Sequence, residues 1–148
     1  MNIRKAKPQD VDAIVELAVE SVTTIAPIPE LKIDRDAMRD TVELCLGPAH
    51  FCMVAESEGE VVGAVVAQVM PGFWFHKLQC SVLMHYARQS GAWVRLMRAL
   101  AEWIKGRSGI KMAIIEIEPC HDPKVLCFVE RLGFSRPSDN RIYVRGAQ

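Results

Sequence analysis

The stretch that most narrows the choice of fold is residues 50–72, HFCMVAESEGEVVGAVVAQVMPG. Two β-rich runs, 51–56 and 60–69, flank the turn SEGE, and that spacing is a strong hairpin signal. An antiparallel pair therefore sits near the middle of the chain. Ahead of it, MNIRKAK reads as a short first strand that stops at Pro8. The next segment, PQDVDAIVELAVESV, sets Val11, Ile14, Val15, Ala18 and Val22 at helical spacing behind Pro8 and Asp10. APIPE breaks that pattern, and DRDAMRDTVELCL reads as a second helix closed by Gly47 and Pro48.

Beyond the hairpin, FWFHKLQCSVLMHYA is a further strand, bent near its end. A helix follows from about Trp93 to Lys105, with Trp93, Leu96, Met97, Leu100, Trp103 and Ile104 along one face. Arg95, Arg98, Glu102 and Lys105 make the opposite stripe, so one side is buried and the other wet. IKMAIIEIE is an apolar strand of the sort found in the middle of a sheet. DPKVLCFVERLGF is a short helix that stops at Gly133, and RIYVRG closes the chain as a last strand. Two late strand–helix units thus follow an antiparallel meander, which predicts a mixed α/β sheet with helices on both faces.

At 148 residues the chain has the size of one domain, and we expect a single domain over 1–148. Half of its residues are hydrophobic, enough for a proper core. A formal net charge of zero argues against a dedicated nucleic-acid binder, which carries a basic excess. The five cysteines, Cys45, Cys52, Cys80, Cys120 and Cys127, are odd in number and hold no C-x-x-C pair. Buried thiols in a reducing cytoplasm fit them better than a disulfide framework or a zinc site, so no metal is expected. MNIRKAKPQD has no signal-like apolar stretch, and no apolar run approaches the roughly 20 residues of a membrane span. The expectation is a soluble, cytoplasmic protein without membrane contact.

Residues 85–107, HYARQSGAWVRLMRALAEWIKGR, carry the first chemical hint. A polar turn with Arg88, Gln89, Ser90 and Gly91 runs into the amphipathic helix, and no acidic residue appears before Glu102. Such a helix start has backbone N–H groups without internal partners and a partial positive charge with nothing acidic to complement it. It is suited to an anion. Read alone, the same turn is better taken as a plain start of a helix with Arg88 solvated.

The element order and two local stretches resemble the GNAT family of N-acetyltransferases over essentially the whole chain. Arg88-Gln89-Ser90-Gly91-Ala92-Trp93 matches the family's R/Q-x-x-G-x-G/A turn, and Phe128-Val129-Glu130-Arg131-Leu132-Gly133-Phe134 matches its late fYEKLGF-like segment. Within the family the match looks closest to a short type found in bacteriophage genomes. The resemblance implies a mostly antiparallel six- to seven-stranded sheet. It also implies that the anion is the pyrophosphate of acetyl-CoA, the acetyl donor. Amides from Gln89 through Ser90, Gly91 and Ala92 to Trp93 would converge on the phosphates, with Arg88 adding a charge-assisted bond and Gly91 letting the backbone approach closely. The Leu83, Met84 and His85 backbone would pair with the pantetheine arm and polarise the thioester carbonyl. Phe128 and Asp122 would also lie against the cofactor; Asp122 falls where the family often has an Asn.

Two residues depart from the family pattern. Trp93 stands where a Gly or Ala is usual, and its place on the apolar stripe favours core packing. Val129 stands where many members have a tyrosine that protonates the departing thiolate. On the acceptor side the fourth strand offers His76, Lys77 and Gln79, of which His76 alone has an ordinary pKa near neutrality. We take His76 as the candidate general base, with a hydrogen-bonded strand histidine as the plainer reading. Cys120-His121-Asp122 has the letters of a metal or triad fragment, yet adjacent loop residues rarely converge on one ion. Phe73, Trp74 and Phe75 at a hairpin tip fit a plug over the core, an acceptor-site wall or a homodimer contact.

The expected activity is direct acetyl transfer from acetyl-CoA to a primary amine of a small molecule or peptide. Trp93 and Val129 support an alternative, a catalytically degenerate scaffold that binds acyl-CoA or serves a structural or regulatory role. A third reading, a nucleic-acid contact along Arg95, Arg98, Lys105 and Arg107, is opposed by the zero net charge and by Glu102.

Overall fold

The turn at Glu58 and Gly59 sets the frame of the molecule. Both residues have positive φ, 54° and 83°, as the two-residue turn that matches strand twist requires. They join β2 (Phe51–Ser57) to β3 (Glu60–Pro71). This is a computed structural model, and it describes residues 1–25, 27–118 and 122–146. With β1 (Asn2–Lys5), β4 (Leu78–Ala87) and β5 (Ile110–Ile114), the described residues form one five-stranded sheet in the order β1-β2-β3-β4-β5. The pairings from β1 to β4 are antiparallel and β4–β5 is parallel.

Helices cover both faces. On one side α1 (Val11–Ile25) and α2 (Arg35–Cys45) bury Ile14, Leu17, Val42 and Cys45 against Cys52, Val54, Ala64 and Val66. On the other, α3 (Ser90–Lys105) drives Leu96, Met97 and Leu100 onto Phe51, Val65 and Cys80, and Phe128 and Leu132 of α4 (Pro123–Leu132) pack alongside. Close approach of α3 depends on a missing side chain. A Cβ built on Gly63 would lie 2.6 Å from the Cβ of Ala87 and 3.2 Å from Cδ1 of Leu96.

The element ends have local causes. The Asp34 carboxylate accepts from the Ala37 amide at 3.0 Å and caps α2. Gly133 stops α4 at a φ of 116°. Asp10, only 7 % exposed, accepts the Lys7 amide at 2.7 Å. It also takes a two-pronged bond from Arg4 at 2.7 and 3.0 Å, while Arg4 reaches Glu56 at 2.6 Å. This network ties β1, β2 and the start of α1 together.

Several expectations need correction. Five strands stand where six to seven were expected, because residues 141–146 form no strand; β propensity without a ladder partner does not make one. The expected mid-sheet strand is shorter, ends at Ile114 and is an edge strand among the described residues. Phe73 to Lys77 lie outside β4, since β3 ends at Pro71 and Gly72 turns the chain, its amide donating to the Lys77 carbonyl at 2.9 Å. The third helix begins at Ser90 rather than Trp93.

Candidate active site

The site grows from a fault in the sheet. β4 and β5 pair only from Leu78↔Ile110 to Ser81↔Ile114, so beyond Ser81 the two chains part. Within the same stretch β4 carries a bulge against β3: Met84 pairs with Val66 and Val82 with Ala67, which leaves Leu83 extra. Leu83 is 47 % exposed, and its unpaired stretch of strand faces the opening.

His85 bridges that opening. Its Nε2 is 2.9 Å from the carbonyl oxygen of Glu116, on the chain that leaves β5. On its other side the indole N–H of Trp93 donates to Nδ1 at 3.2 Å. An indole nitrogen can only donate, so Nδ1 is the acceptor and the neutral ring carries its proton on Nε2, which donates to Glu116. Trp93 also leans on the Phe128 ring, with centroids 5.6 Å apart, and the Arg98 guanidinium sits 5.8 Å from the centre of that ring. The Trp93 side chain therefore points toward β4 and α4, as core packing predicts, rather than over the start of α3.

That start is open. The Ala92 and Trp93 amides donate to the Gln89 carbonyl at 3.1 and 3.2 Å, whereas the amides of Gln89, Ser90 and Gly91 have no partner among the described residues. No side chain caps the helix and its first turn holds no acid. A Cβ added at Gly91 would meet nothing within 4 Å, so no neighbouring group crowds that point of the helix start. The residues present fit the pyrophosphate of a coenzyme A donor.

Arg88 is engaged elsewhere. Its guanidinium contacts the Glu20 carboxylate of α1 at 3.2 to 3.4 Å. The Arg88 bond, and then a bond from Tyr86, hold the Glu20 carboxyl below its ordinary range; burial first and Glu20 second push the Tyr86 phenol up. Asp122 caps α4, accepting the Lys124 amide at 2.8 Å. Val129 is 1 % exposed and packs in the core.

A cleft of about 550 Å³ opens beside the bulge, between α1, α2 and the end of β4. Leu83, Met84 and His85 line it, together with Glu116 and Glu118. These two carboxylates were missed in the sequence, although acids alternating in the apolar run IEIE were the available signal. Expected on the fourth strand, His76 sits instead in the exposed loop after Gly72, outside the lining of the cleft. Lys77 shares that loop, while Gln79 lies on β4. Phe73 and Trp74 are 85 % and 84 % exposed and stack edge to face, so they plug nothing. Cys120 and His121 lie outside the described residues, and no metal-ligating cluster occurs among those described. The basic stripe of α3 makes contacts within the protein: Arg95 donates to the Met1 carbonyl at 3.2 Å, and Arg107 stacks 4.3 Å from the centre of the Trp103 indole.

The profile of the acetyltransferase (GNAT) family matches residues 11–134, and the chain belongs to that family. Members of the family use acetyl-CoA as donor. Solved structures with the same fold include an aminoglycoside acetyltransferase from an uncultured soil metagenomic sample, in complex with sisomicin. It is 13 % identical, with a TM-score of 0.67, and the match covers 99 % of this chain and 96 % of that one. Glucosamine-6-phosphate N-acetyltransferase from Arabidopsis thaliana is 16 % identical, with a TM-score of 0.69 and 97 % of each chain covered. A transcriptional regulator from Bacillus halodurans C-125 is 18 % identical, with a TM-score of 0.70, over 97 % of this chain and 98 % of that one. No curated protein matches the sequence. Among the described residues no helix is long and apolar enough to cross a membrane.

Proposed function

We propose that the protein transfers the acetyl group of acetyl-CoA to a primary amine, directly and within a ternary complex. The observation that carries this reading is the unpartnered amide face of Gln89, Ser90 and Gly91, set at the end of the strand whose bulge opens onto the cleft. Those amides would hold the pyrophosphate, and the backbone from Leu83 to His85 would receive the pantetheine arm and polarise the thioester carbonyl. The amine nitrogen forms the new N–C bond, the C–S bond breaks, the sulfur leaves as a thiolate, and the nitrogen gives up its second proton as the amide forms, a proton that water can carry to the thiolate. An ammonium must first lose a proton, and Glu116 and Glu118, which line the cleft, are our candidates to take it; the Glu116 carboxylate also accepts from the Asn140 side chain at 3.0 Å.

By the family resemblance Val129 stands where a tyrosine would protonate the leaving thiolate. General acid help of that kind is worth about 10²–10⁴-fold, and an ordinary thiol has a pKa near 8.5. Its loss slows transfer without forbidding it, because water can reprotonate such a thiolate.

A second reading, a scaffold that binds acyl-CoA without turnover, is favoured by Trp93 and Val129. The indole of Trp93 already joins β4 to α4 across the space the pantetheine arm would use. Calorimetry with acetyl-CoA, followed by thiol release with a panel of amines, separates the two. Binding with thiol release supports the enzyme, binding without release supports the scaffold, and no binding at millimolar ligand refutes both.

A further inference from the structure

The lining of the cleft carries more than its location. Its walls come from Ala18, Val22 and Ile25 of α1, Met38 and Val42 of α2, and Val66 and Val82 of the sheet. Of the apolar lining, Val22 at 41 %, Leu31 at 53 % and Ile142 at 69 % exposure are left in water, as is Leu83. Among the described residues, the polar side chains around it are Ser21, Thr41, His85, Glu116 and Glu118, with neither a lysine nor an arginine. Both carboxylates belong to the chain that parts from β4, where the Glu116 carbonyl is tied to His85. The cleft is thus mostly apolar along α1 and α2, where Ser21 and Thr41 are the polar side chains, and acidic at the end beside the Leu83 bulge.

We infer that the acceptor is an amine carried on an apolar body, an alkylamine or arylalkylamine, and not a polyhydroxylated amino sugar. This assignment rests on the acetyltransferase reading and narrows it. The volume suits one small organic molecule. An ammonium placed against Glu116 and Glu118 gains an opposite charge with no lysine or arginine among the described lining residues to oppose it, beside the 3.0 Å bond that the Glu116 carboxylate accepts from Asn140. Its hydrocarbon then lies along Val22, Met38 and Val42 and leaves water, as those walls do. A sugar in the same place would press most of its hydroxyls against side chains that offer them no hydrogen bonds. Away from the acidic end the described lining offers Ser21 and Thr41, the latter already donating to the Ala37 carbonyl, which is too few to serve several hydroxyls.

The test uses the full chain and two independent readouts. In the first, linear amines from butylamine to octylamine are titrated without acetyl-CoA, with hexanol as the uncharged control. Affinity should rise roughly threefold to fourfold per added methylene, and hexanol should bind at least about tenfold more weakly than hexylamine. In the second, thiol release from acetyl-CoA is measured with the same amines, phenylethylamine, glucosamine and sisomicin. The apolar amines should give the higher kcat/KM, rising with chain length. Val22→Asn, at an exposed position of α1, should flatten the dependence on length, and Glu116→Gln with Glu118→Gln should remove the advantage of hexylamine over hexanol.

An affinity independent of chain length, a preference for glucosamine or sisomicin, or a length dependence untouched by Val22→Asn would overturn the assignment. A length gradient in binding without any thiol release would leave the amine site standing and remove the transfer reaction. Thiol release with the amino sugars alone would do the reverse.

Discussion

Replacing Gly91 with aspartate pulls folding and cofactor binding in opposite directions. At the second position of α3 the new Cβ meets nothing within 4 Å, so the side chain enters without a clash. Its carboxylate lies over the amides of a helix whose first turn has no acid, an interaction worth about 0.3–1 kcal/mol. Removing a glycine from the helix adds a few tenths more. At roughly 2–4 °C per kcal/mol for a chain of this size, the melting temperature should hold or rise by about 1–4 °C. The same carboxylate fills the phosphate site. Losing two charge-assisted bonds of about 1.5–3 kcal/mol each comes to at least about 3 kcal/mol. That weakens coenzyme A by more than about 100-fold. Differential scanning fluorimetry and isothermal titration calorimetry on the same preparation give both numbers, with Gly91→Ala as the intermediate case. A folded variant that binds coenzyme A within threefold of the parent would show that these amides do not hold the phosphates.

Gly63→Ala should cost about 1–3 kcal/mol in urea unfolding, since its Cβ would come 2.6 Å from that of Ala87, and adding Ala87→Gly should recover most of the loss. Asp10→Asn should cost about 2–3 kcal/mol at neutral pH by unpairing Arg4. The Arg4 bond holds the Asp10 carboxyl below its ordinary value, so this stabilisation is complete above the unfolded pKa of about 3.9 and fades as pH falls through the lower folded value. Stability of the parent should therefore drop more steeply below about pH 4 than that of Asp10→Asn, and parallel curves would refute the pairing. Burial pushes the Cys52 and Cys80 thiols up to about 12 and about 11, so neither should react with a thiol reagent in the native state while exposed Cys127 does. Peptide mass spectrometry after timed labelling checks this, and equal rates at Cys52 and Cys127 would contradict it.

How far the sequence could be read depended on whether each feature has a local cause. The hairpin was legible because a two-residue turn with positive φ demands residues such as Glu58-Gly59 between β-rich runs. Asp34 and Gly133 marked the start of α2 and the end of α4 for the same kind of reason. α3 was placed three residues late because Gln89 makes no side-chain cap, and the missing cap is what leaves the amides open. His76 was misplaced because Phe73, Trp74 and Phe75 have strand propensity, whereas the turn begun by Gly72 decides their conformation. Glu116 and Glu118 were read as part of a strand. They reach the cleft because β5 ends at Ile114, and the parting of two neighbouring strands leaves no mark in the letters of either.

The extra residue at Leu83 reverses the parity of its strand. Cys80 and Val82, ahead of it, belong to the α3 layer, but Met84 and Tyr86, though still even-numbered, belong to the α1 layer. Odd-numbered His85 is thereby handed to Trp93. Deleting Leu83 would restore a regular ladder and turn His85 toward the wrong helices, moving the loop that begins at Arg88 with it. One half-exposed residue at the edge of the cleft thus decides which side of the sheet each later group of the site will serve.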